Sequence, residues 1–182
     1  TTYYEEGNEK GKELLAIWRK MQEELLPKFG FSAEETKDIL DKYLELDAKL
    51  AKYVLSNEES SEYVKLYHPY DWADFTKLAP ELPLDAIFTE ILGQVPDKVI
   101  VPQERFWKEF AAECYSEKNW EHLHAALKLF STGAWTSLLT EEIRVLSGTY
   151  ARAISGVPEP RPKEKAAYQL AQGPYNQALG LW

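Results

Sequence analysis

The sequence predicts an all-α fold, namely an irregular multi-helix domain with one or two very short extended segments. Apolar residues recur every three or four positions along most of the 182 residues, which is the period of a helix with one buried face. Capping residues precede several of these segments, and only residues 98–102 have the composition of a strand. We expect a single helical domain over residues 1–182.

Two long helices are predicted at the start of the chain. The first ends near Gly30, and the second begins at Ser32, where Glu35 three residues later completes a capping box. The apolar face of the first helix consists of Leu14, Trp18, Met21 and Leu25. The face of the second helix consists of Ile39, Tyr43, Leu46, Leu50 and Val54. A polar linker over residues 56–61 is expected to follow.

The middle of the chain is predicted to be irregular. Pro69 and Pro80 interrupt it, because the residue before a proline avoids the helical conformation. Asp71 and Asp85 are candidate N-caps of short helices. Residues 98–102 form the one convincing extended segment, which is too short to make a sheet by itself.

Three amphipathic helices are predicted in the second half, beginning after Pro102, at Ser116 and at Thr140. Their apolar faces are, in order, Phe106, Trp107, Phe110, Ala111 and Cys114; Trp120, Leu123, Leu127 and Phe130; and Ile143, Leu146, Tyr150 and Ala153. A stiff, proline-rich connector then leads to two last helical stretches. The connector is residues 156–162, and the stretches are residues 163–172 and 175 onward.

Composition argues against several functional classes. The chain carries 21 Lys and Arg against 30 Asp and Glu, and its net charge of −9 repels the phosphates of nucleic acids. No run of about 18 apolar residues occurs, so we expect no membrane-spanning segment. Cys114 is the only cysteine, which rules out an internal disulfide; we expect it to be a small core residue. The acidic balance and the cysteine usage favour a bacterial cytoplasmic location.

No residue is assigned a catalytic, cofactor-binding or metal-binding role. His122 and His124 lie two positions apart, so on a helix their side chains point about 200° from each other and cannot share an ion. The zinc-binding spacing H-E-x-x-H does not occur. Cys114 has no adjacent base, and there is no G-x-S-x-G nucleophile elbow.

Two other groups of side chains have ordinary structural explanations. Glu58 and Glu59, like Glu141 and Glu142, are adjacent carboxylates that diverge on a helix and suit helix starts and surfaces. An aromatic set could line a peptide groove or form a core beneath an irregular loop, and the tendency of aromatic rings to pack together favours the core. This set is Tyr63, Tyr67, Tyr70, Trp72 and Phe75.

The two ends of the sequence lead us to expect a piece of a longer protein. The chain begins Thr1-Thr2 without an initiator Met, and it ends at Leu181-Trp182 without a capping or charged tail. This apolar end allows an alternative function. The chain could be an independent helical module that binds a partner helix through the surface around Leu179 and Trp182.

Several short motifs occur in the order found in one known family. They are Tyr3-Tyr4 at the start of a long helix, ELDAKLA at residues 45–51, VIVP at residues 99–102 before an aromatic helix, Asn119-Trp120 at a helix start, Ser155-Gly156 followed by Arg161, and Ala178-Leu179-Gly180. By their shared order, the whole chain resembles the central helical region of the neprilysin-like zinc metalloendopeptidases, especially bacterial oligopeptidases of the endopeptidase O type. It departs from them at Pro162, where many members have Trp and then Cys, and in lacking the disulfide cysteines of the membrane-bound animal members.

The resemblance implies a specific role. Family members cleave peptides of modest size with a zinc ion held by H-E-x-x-H and a downstream Glu, and a helical lobe closes over that site and excludes folded proteins. None of the family's zinc ligands, its general base or its Asn-Ala substrate-binding motif falls within residues 1–182. The chain is therefore expected to be the substrate-enclosing, size-selecting lobe, inactive alone. Its implied partners are the catalytic lobe of the same parent chain, which holds the zinc, and oligopeptide substrates.

Overall fold

Helices account for most of the chain, and the predicted all-α class is confirmed. The computed structural model describes residues 2–114 and 116–179, without the side chains at positions 2, 57, 111, 114 and 177–179. The α-helices in this part are α1 (Glu9–Leu25), α2 (Ala33–Leu50), α3 (Asn57–Ser61), α4 (Trp72–Phe75), α5 (Leu84–Leu92), α6 (Glu104–Cys114), α7 (Trp120–Trp135), α8 (Glu141–Ser147), α9 (Thr149–Ser155) and α10 (Lys163–Leu179). The strands are β1 (Pro69–Asp71) and β2 (Lys98–Ile100). Short 3-10 segments cover Thr2–Tyr4, Leu26–Phe29, Tyr63–Leu66, Thr76–Leu78 and Glu117–Asn119.

The first helical segment ends and the second helix begins close to the predicted positions, whereas α1 begins at Glu9 and not at Tyr3-Tyr4. After α1, a 3-10 turn ends at Gly30, whose φ of 92° is a left-handed conformation that glycine adopts without strain. The capping box of α2 is present: Ser32 Oγ accepts a hydrogen bond from the Glu35 amide at 3.1 Å, and the Ser32 amide donates to Glu35 Oε2 at 2.8 Å. Because α2 ends at Leu50, Val54 lies beyond the helix.

The main core lies between α2 and α7. Its buried members are Leu26, Ile39, Leu40, Ala125 and Leu129. Trp18 and Tyr43 pack against them, with stacked rings whose centroids are 5.2 Å apart. Since α7 contributes short side chains here, its backbone can approach α2 closely.

The predicted apolar face of α7 is wrong. Trp120, Leu127 and Phe130 are 50%, 51% and 65% exposed, and only Leu123 of the predicted four is half-buried. The buried face consists of Ala125, Ala126, Leu129 and Thr132. The prediction selected the largest apolar side chains, whereas close approach to α2 leaves room mainly for small ones.

A second core lies beneath the small sheet. β1 and β2 pair antiparallel, with Tyr70 opposite Val99, so the predicted extended segment has a strand partner that the sequence did not reveal. Phe75, Ala79, Leu84 and Val101 form the buried cluster against which the sheet packs.

Three local predictions in the chain are wrong. The expected polar linker contains α3, because Ser56 and Glu59 form a second capping box. Asp85 lies inside the first turn of α5 instead of capping it, and its carboxylate accepts a hydrogen bond from Trp72 Nε1 at 2.6 Å. The helix expected from Thr140 is divided at Gly148 into α8 and α9.

The last helix of the described chain, α10, buries few of its side chains against the rest of the domain. α10 contains Pro174 and a non-helical Tyr175, so its two predicted stretches are confirmed. Among its described side chains only Ala166 and Ala171 are half-buried. The side chains of Cys114 and Leu179 and all of Trp182 lie outside the described residues, and so do the predictions made for them.

Candidate functional site

A cleft of about 310 Å³ lies where the first residues of the chain meet the end of α2 and the start of α3. Its walls include Tyr4, Ala48, Lys52, Val54, Glu59 and Arg105. Two polar clusters, one around Arg105 and one around Tyr4, hold these segments together.

Arg105 on α6 connects three segments of the chain. Its Nη1 and Nη2 donate to the two carboxylate oxygens of Glu59 at 3.0 and 2.9 Å. Its Nε donates to the Tyr53 carbonyl at 2.9 Å, and Nη2 also donates to the Val54 carbonyl at 3.0 Å. The guanidinium thereby supplies donors to two carbonyl groups in the turn just beyond α2.

This ion pair is suited to a structural role. Glu59 accepts hydrogen bonds from Arg105 and from the Ser56 amide, and these contacts lower the pKa of its carboxyl group from 4.5 to about 2. A carboxylate so acidic is a poor general base near neutral pH. The cluster therefore braces α2, α3 and α6 against each other.

The second cluster ties the N-terminal segment to the domain. Tyr4 donates a hydrogen bond to Asp47 on α2 at 2.6 Å. Burial, followed by this hydrogen bond and the Asp47 charge, raises the pKa of Tyr4 above its usual range. Burial also raises the pKa of Tyr43 and of Tyr150 to about 12. These phenols stay protonated at neutral pH, so they are poor candidates for a general base.

The histidines on α7 do not form a metal site. His122 Nε2 lies 3.2 Å from the Glu45 carboxylate, whereas the ring of His124 packs on Trp120 with centroids 4.6 Å apart. The two imidazoles face different neighbours, as their spacing predicts. Among the described side chains, no three His, Cys, Asp or Glu residues converge in a way that could hold a metal ion.

The adjacent carboxylates bind separate cations. Glu141 accepts hydrogen bonds from Arg144 within α8, and Glu142 reaches Lys28 at 2.5 Å. Since the two carboxylates of this pair face different cations, they do not form an acid–base pair, and their predicted surface role is confirmed.

The aromatic set is divided between core and surface. Phe75 is buried, Trp72 packs on it with ring centroids 5.5 Å apart, and Tyr70 contacts the same cluster. For these three residues the predicted core is confirmed. Tyr63 and Tyr67 are 81% and 64% exposed, so for them the prediction is wrong.

The Arg105 cluster was missed by sequence reasoning. Its hydrogen bonds join residues that lie 46 to 52 positions apart, and no local pattern links them. The one available signal was the spacing of Ser56 and Glu59, which is that of a capping box and places a carboxylate at a fixed position in the first turn. Separately, no helix in residues 2–114 and 116–179 has both the length and the apolar character needed to cross a membrane.

The fold and these contacts define a class of protein, namely a helical domain held together by two polar clusters. Its described side chains do not converge on a metal site. Comparison with known proteins then gives the family. All of residues 1–182 match the N-terminal family model described as Peptidase family M13. The chain belongs to peptidase family M13, and the predicted resemblance to the neprilysin-like bacterial endopeptidases is confirmed.

Relatives match along the whole chain. A Streptococcus gordonii protein, described as a proposed zinc metalloproteinase in the scaA 5′ region, is 61% identical over 182 residues, which are 100% of this chain and 32% of that protein. The neutral endopeptidase of Lactococcus lactis subsp. cremoris is 34% identical over 183 residues, covering 100% of this chain and 28% of its own length. The chain thus spans about a third of the length of the curated relatives it matches.

Solved structures share the fold. The crystal structure of PepO from Lactobacillus rhamnosis HN001 (DR20) matches with a TM-score of 0.82 and 25% identity, over 94% of this chain and 27% of that chain. The Mycobacterium tuberculosis zinc metalloprotease ZMP1 matches in its open state with a TM-score of 0.79 and 19% identity, over 98% of this chain and 28% of that chain. Its inhibitor complex matches with a TM-score of 0.76 and 17% identity, over 94% and 26%.

Proposed function

We propose that residues 1–182 form a substrate-enclosing, size-selecting helical lobe of a zinc metallopeptidase that hydrolyses oligopeptides. The 182 residues are one domain of a longer chain, carry no catalytic residue and are inactive alone. The catalytic lobe of the same parent chain holds the zinc ion and cleaves the peptide. The observation that carries this proposal is the match of the entire chain to a peptidase family, in which the 61% identical relative is matched over only 32% of its length.

A wall that excludes folded proteins needs a rigid body, and the packing supports this role. The α2–α7 core joins two long helices through buried side chains. Arg105 then braces the far end of α2, and Tyr4 ties the N-terminal segment to the same helix through Asp47. A body braced in this way can close over a catalytic site and exclude water without changing its own packing.

The test uses the complete parent polypeptide and a ladder of peptides of increasing length that share one cleavage sequence. We expect short peptides to be hydrolysed, with kcat/KM falling steeply with length, and a folded protein carrying the same sequence in an exposed loop to stay intact. The same protein after unfolding and fragmentation is the matched control. Removal of zinc by a chelator should abolish hydrolysis, and restored zinc should recover it. Hydrolysis of the folded protein at the rate of the short peptides would contradict the proposal.

Residues 1–182 alone provide the second test. We expect the purified polypeptide to hydrolyse none of the ladder and to bind no stoichiometric zinc at micromolar concentration. Peptide turnover or tight zinc binding by this polypeptide would show that it carries part of the catalytic machinery.

We also propose a bacterial cytoplasmic location for the parent enzyme. The single cysteine and the acidic charge support it. Cell fractionation with an antibody against the parent would test this, and recovery in the membrane or the culture medium would contradict it.

A further inference from the structure

The end of α7 carries exposed apolar side chains, of which Phe130 also meets the ring of Tyr43 edge-on with centroids 6.2 Å apart. The exposed fractions are 51% for Leu127, 65% for Phe130, 59% for Trp135, 56% for Leu138 and 48% for Leu139. Residues 129–140 contain no charged side chain, although 28% of the whole chain is charged. We call residues 127–139 the α7 end. A surface of this kind in a soluble domain marks a place where another apolar element packs.

Helix geometry predicts a short, shallow groove at the α7 end. At 100° per residue, Phe130 and Trp135 lie about 140° apart around the helix, one at each margin of the exposed face. Between them lie Ser131 and Ala134, which are small and exposed, and half-exposed Leu127 closes the predicted groove one turn earlier. Small side chains between two aromatic residues leave space into which the side chains of a second helix can fit.

An extended peptide is a poor occupant of this groove. Substrate peptides of varied sequence are held through their backbone, by adding a strand to a free sheet edge. The backbone groups of a helix are bonded to each other, so α7 has no such edge. Binding at the α7 end must come from apolar side chains, which suits a partner of defined sequence.

A second copy of the chain is also a poor occupant. Each copy carries a net charge of −9, which opposes self-association. Since a whole aromatic side chain has about 150–250 Å² of surface, half-exposed Phe130 and Trp135 supply roughly 200 Å². With Leu127, Leu138 and Leu139 included, the exposed apolar area of the α7 end reaches the area that one side of a contact between domains of a single chain buries, roughly 300–750 Å². Separate proteins in a stable complex each bury about 800 Å².

We propose that an apolar helix from the rest of the parent peptidase docks on the α7 end, between Phe130 and Trp135. This inference rests on the proposed function, in which the 182 residues are one lobe of a longer chain. The 61% identical relative supplies enough polypeptide, because the matched region is only 32% of its length. A helix tethered in the same chain has a high effective concentration at the α7 end, so a modest apolar surface is sufficient to hold it.

The test measures thiol accessibility in the complete parent polypeptide. Ser131→Cys places a thiol in the groove, and Ala16→Cys places one on the exposed side of α1 as the matched control. Each labelling rate is divided by the rate of the same variant in denaturant, and the unsubstituted parent corrects for Cys114 and other native thiols. We expect labelling at position 131 to be at least about tenfold slower than at position 16.

The outcomes separate the candidate occupants. Equal protection from labelling at positions 131 and 16 would overturn the proposal. Protection at position 131 that disappears when the parent is diluted to a monomer would also overturn it, because the occupant would then be a second copy of the chain. Ala134→Glu, with Ala16→Glu as control, should lower the Tm of the parent, and an unchanged Tm would count against docking. Labelling does not depend on hydrolysis, so a parent that is protected but cannot cleave the peptide ladder would refute the proposed function while leaving this inference standing.

Discussion

Arg105 and Glu59 form a two-point ion pair between α6 and α3, with N–O distances of 3.0 and 2.9 Å. The same guanidinium donates to the carbonyl groups of Tyr53 and Val54. A planar guanidinium can make these four hydrogen bonds at once because its donors lie in a fixed fork, whereas a lysine ammonium cannot reproduce that geometry. One side chain therefore fixes how the end of α2 meets the second half of the domain.

Replacement of Arg105 should destabilise the domain. We expect Arg105→Ala to lower the free energy of unfolding by about 1 kcal/mol, because two backbone carbonyls and a carboxylate lose their donor at a site that water reaches. Arg105→Lys should recover only part of that loss. Urea denaturation followed by circular dichroism measures both variants. Lys108→Ala, which removes an exposed ion pair on the same helix, is the control and should behave like the unsubstituted domain. An Arg105→Lys variant as stable as the unsubstituted domain would contradict the geometric argument.

The same ion pair should make stability depend on pH. The pKa of Glu59 is lowered from 4.5 in an ordinary environment to about 2 in the folded domain. Its contribution to stability is therefore complete above about pH 4.5 and is lost as the pH falls from there towards 2. Glu59→Gln should be less stable than the unsubstituted domain at pH 7 and should lose less stability across that window.

Unfolding curves at several pH values between 7 and about 2.5 provide the measurement. Glu58→Gln is the matched control, because it removes a charge from the same helical turn without touching Arg105. If Glu59→Gln and the unsubstituted domain lose stability in parallel as the pH falls, the ion pair does not contribute in the way proposed.

Loss of the Tyr4 hydroxyl should loosen the N-terminal segment. Tyr4→Phe removes the 2.6 Å hydrogen bond to Asp47 while keeping the ring, and we expect a loss of about 1.5–3 kcal/mol, the range for a hydrogen bond to a charged group. Tyr175→Phe is the control, because Tyr175 is 64% exposed. Thermal unfolding of both variants measures the difference, and equal Tm values would count against a stabilising role for this contact.

The α2–α7 interface gives a prediction that tests which side of α7 is buried, the side with small residues or the side with the large apolar residues. Ala126→Leu should cost about 1–3 kcal/mol because a larger side chain must enter a closely packed site. Leu127→Ala at the next position should change stability by less than about 0.5 kcal/mol, since Leu127 is half exposed. Denaturant unfolding of residues 1–182 compares the two. The opposite order would mean that the large apolar residues of α7 face the core, as its sequence suggests.

Local features of the fold were predictable because their causes are local. Ser32 and Glu35 form a capping box within four consecutive residues, and Gly30 ends the preceding turn through its own backbone conformation. The breaks at Pro69 and Pro80 follow from the proline rings themselves. Ser56 and Glu59 formed the same box as Ser32 and Glu35, yet the polar composition around them favoured a linker. The capping spacing, and not the polar composition, decides the local structure at this point.

The sequence by itself determined the helical class, several helix boundaries and, through its resemblance to known peptidases, the family. These follow from interactions within one or two turns, or from motifs that keep their order along the chain. Only the tertiary structure decided which side of α7 is buried and which donors, Arg105 and the Tyr4 hydroxyl, reach Glu59 and Asp47. Both outcomes depend on the distance between helices far apart in sequence, and that distance is set by packing of the whole domain and not by any local pattern.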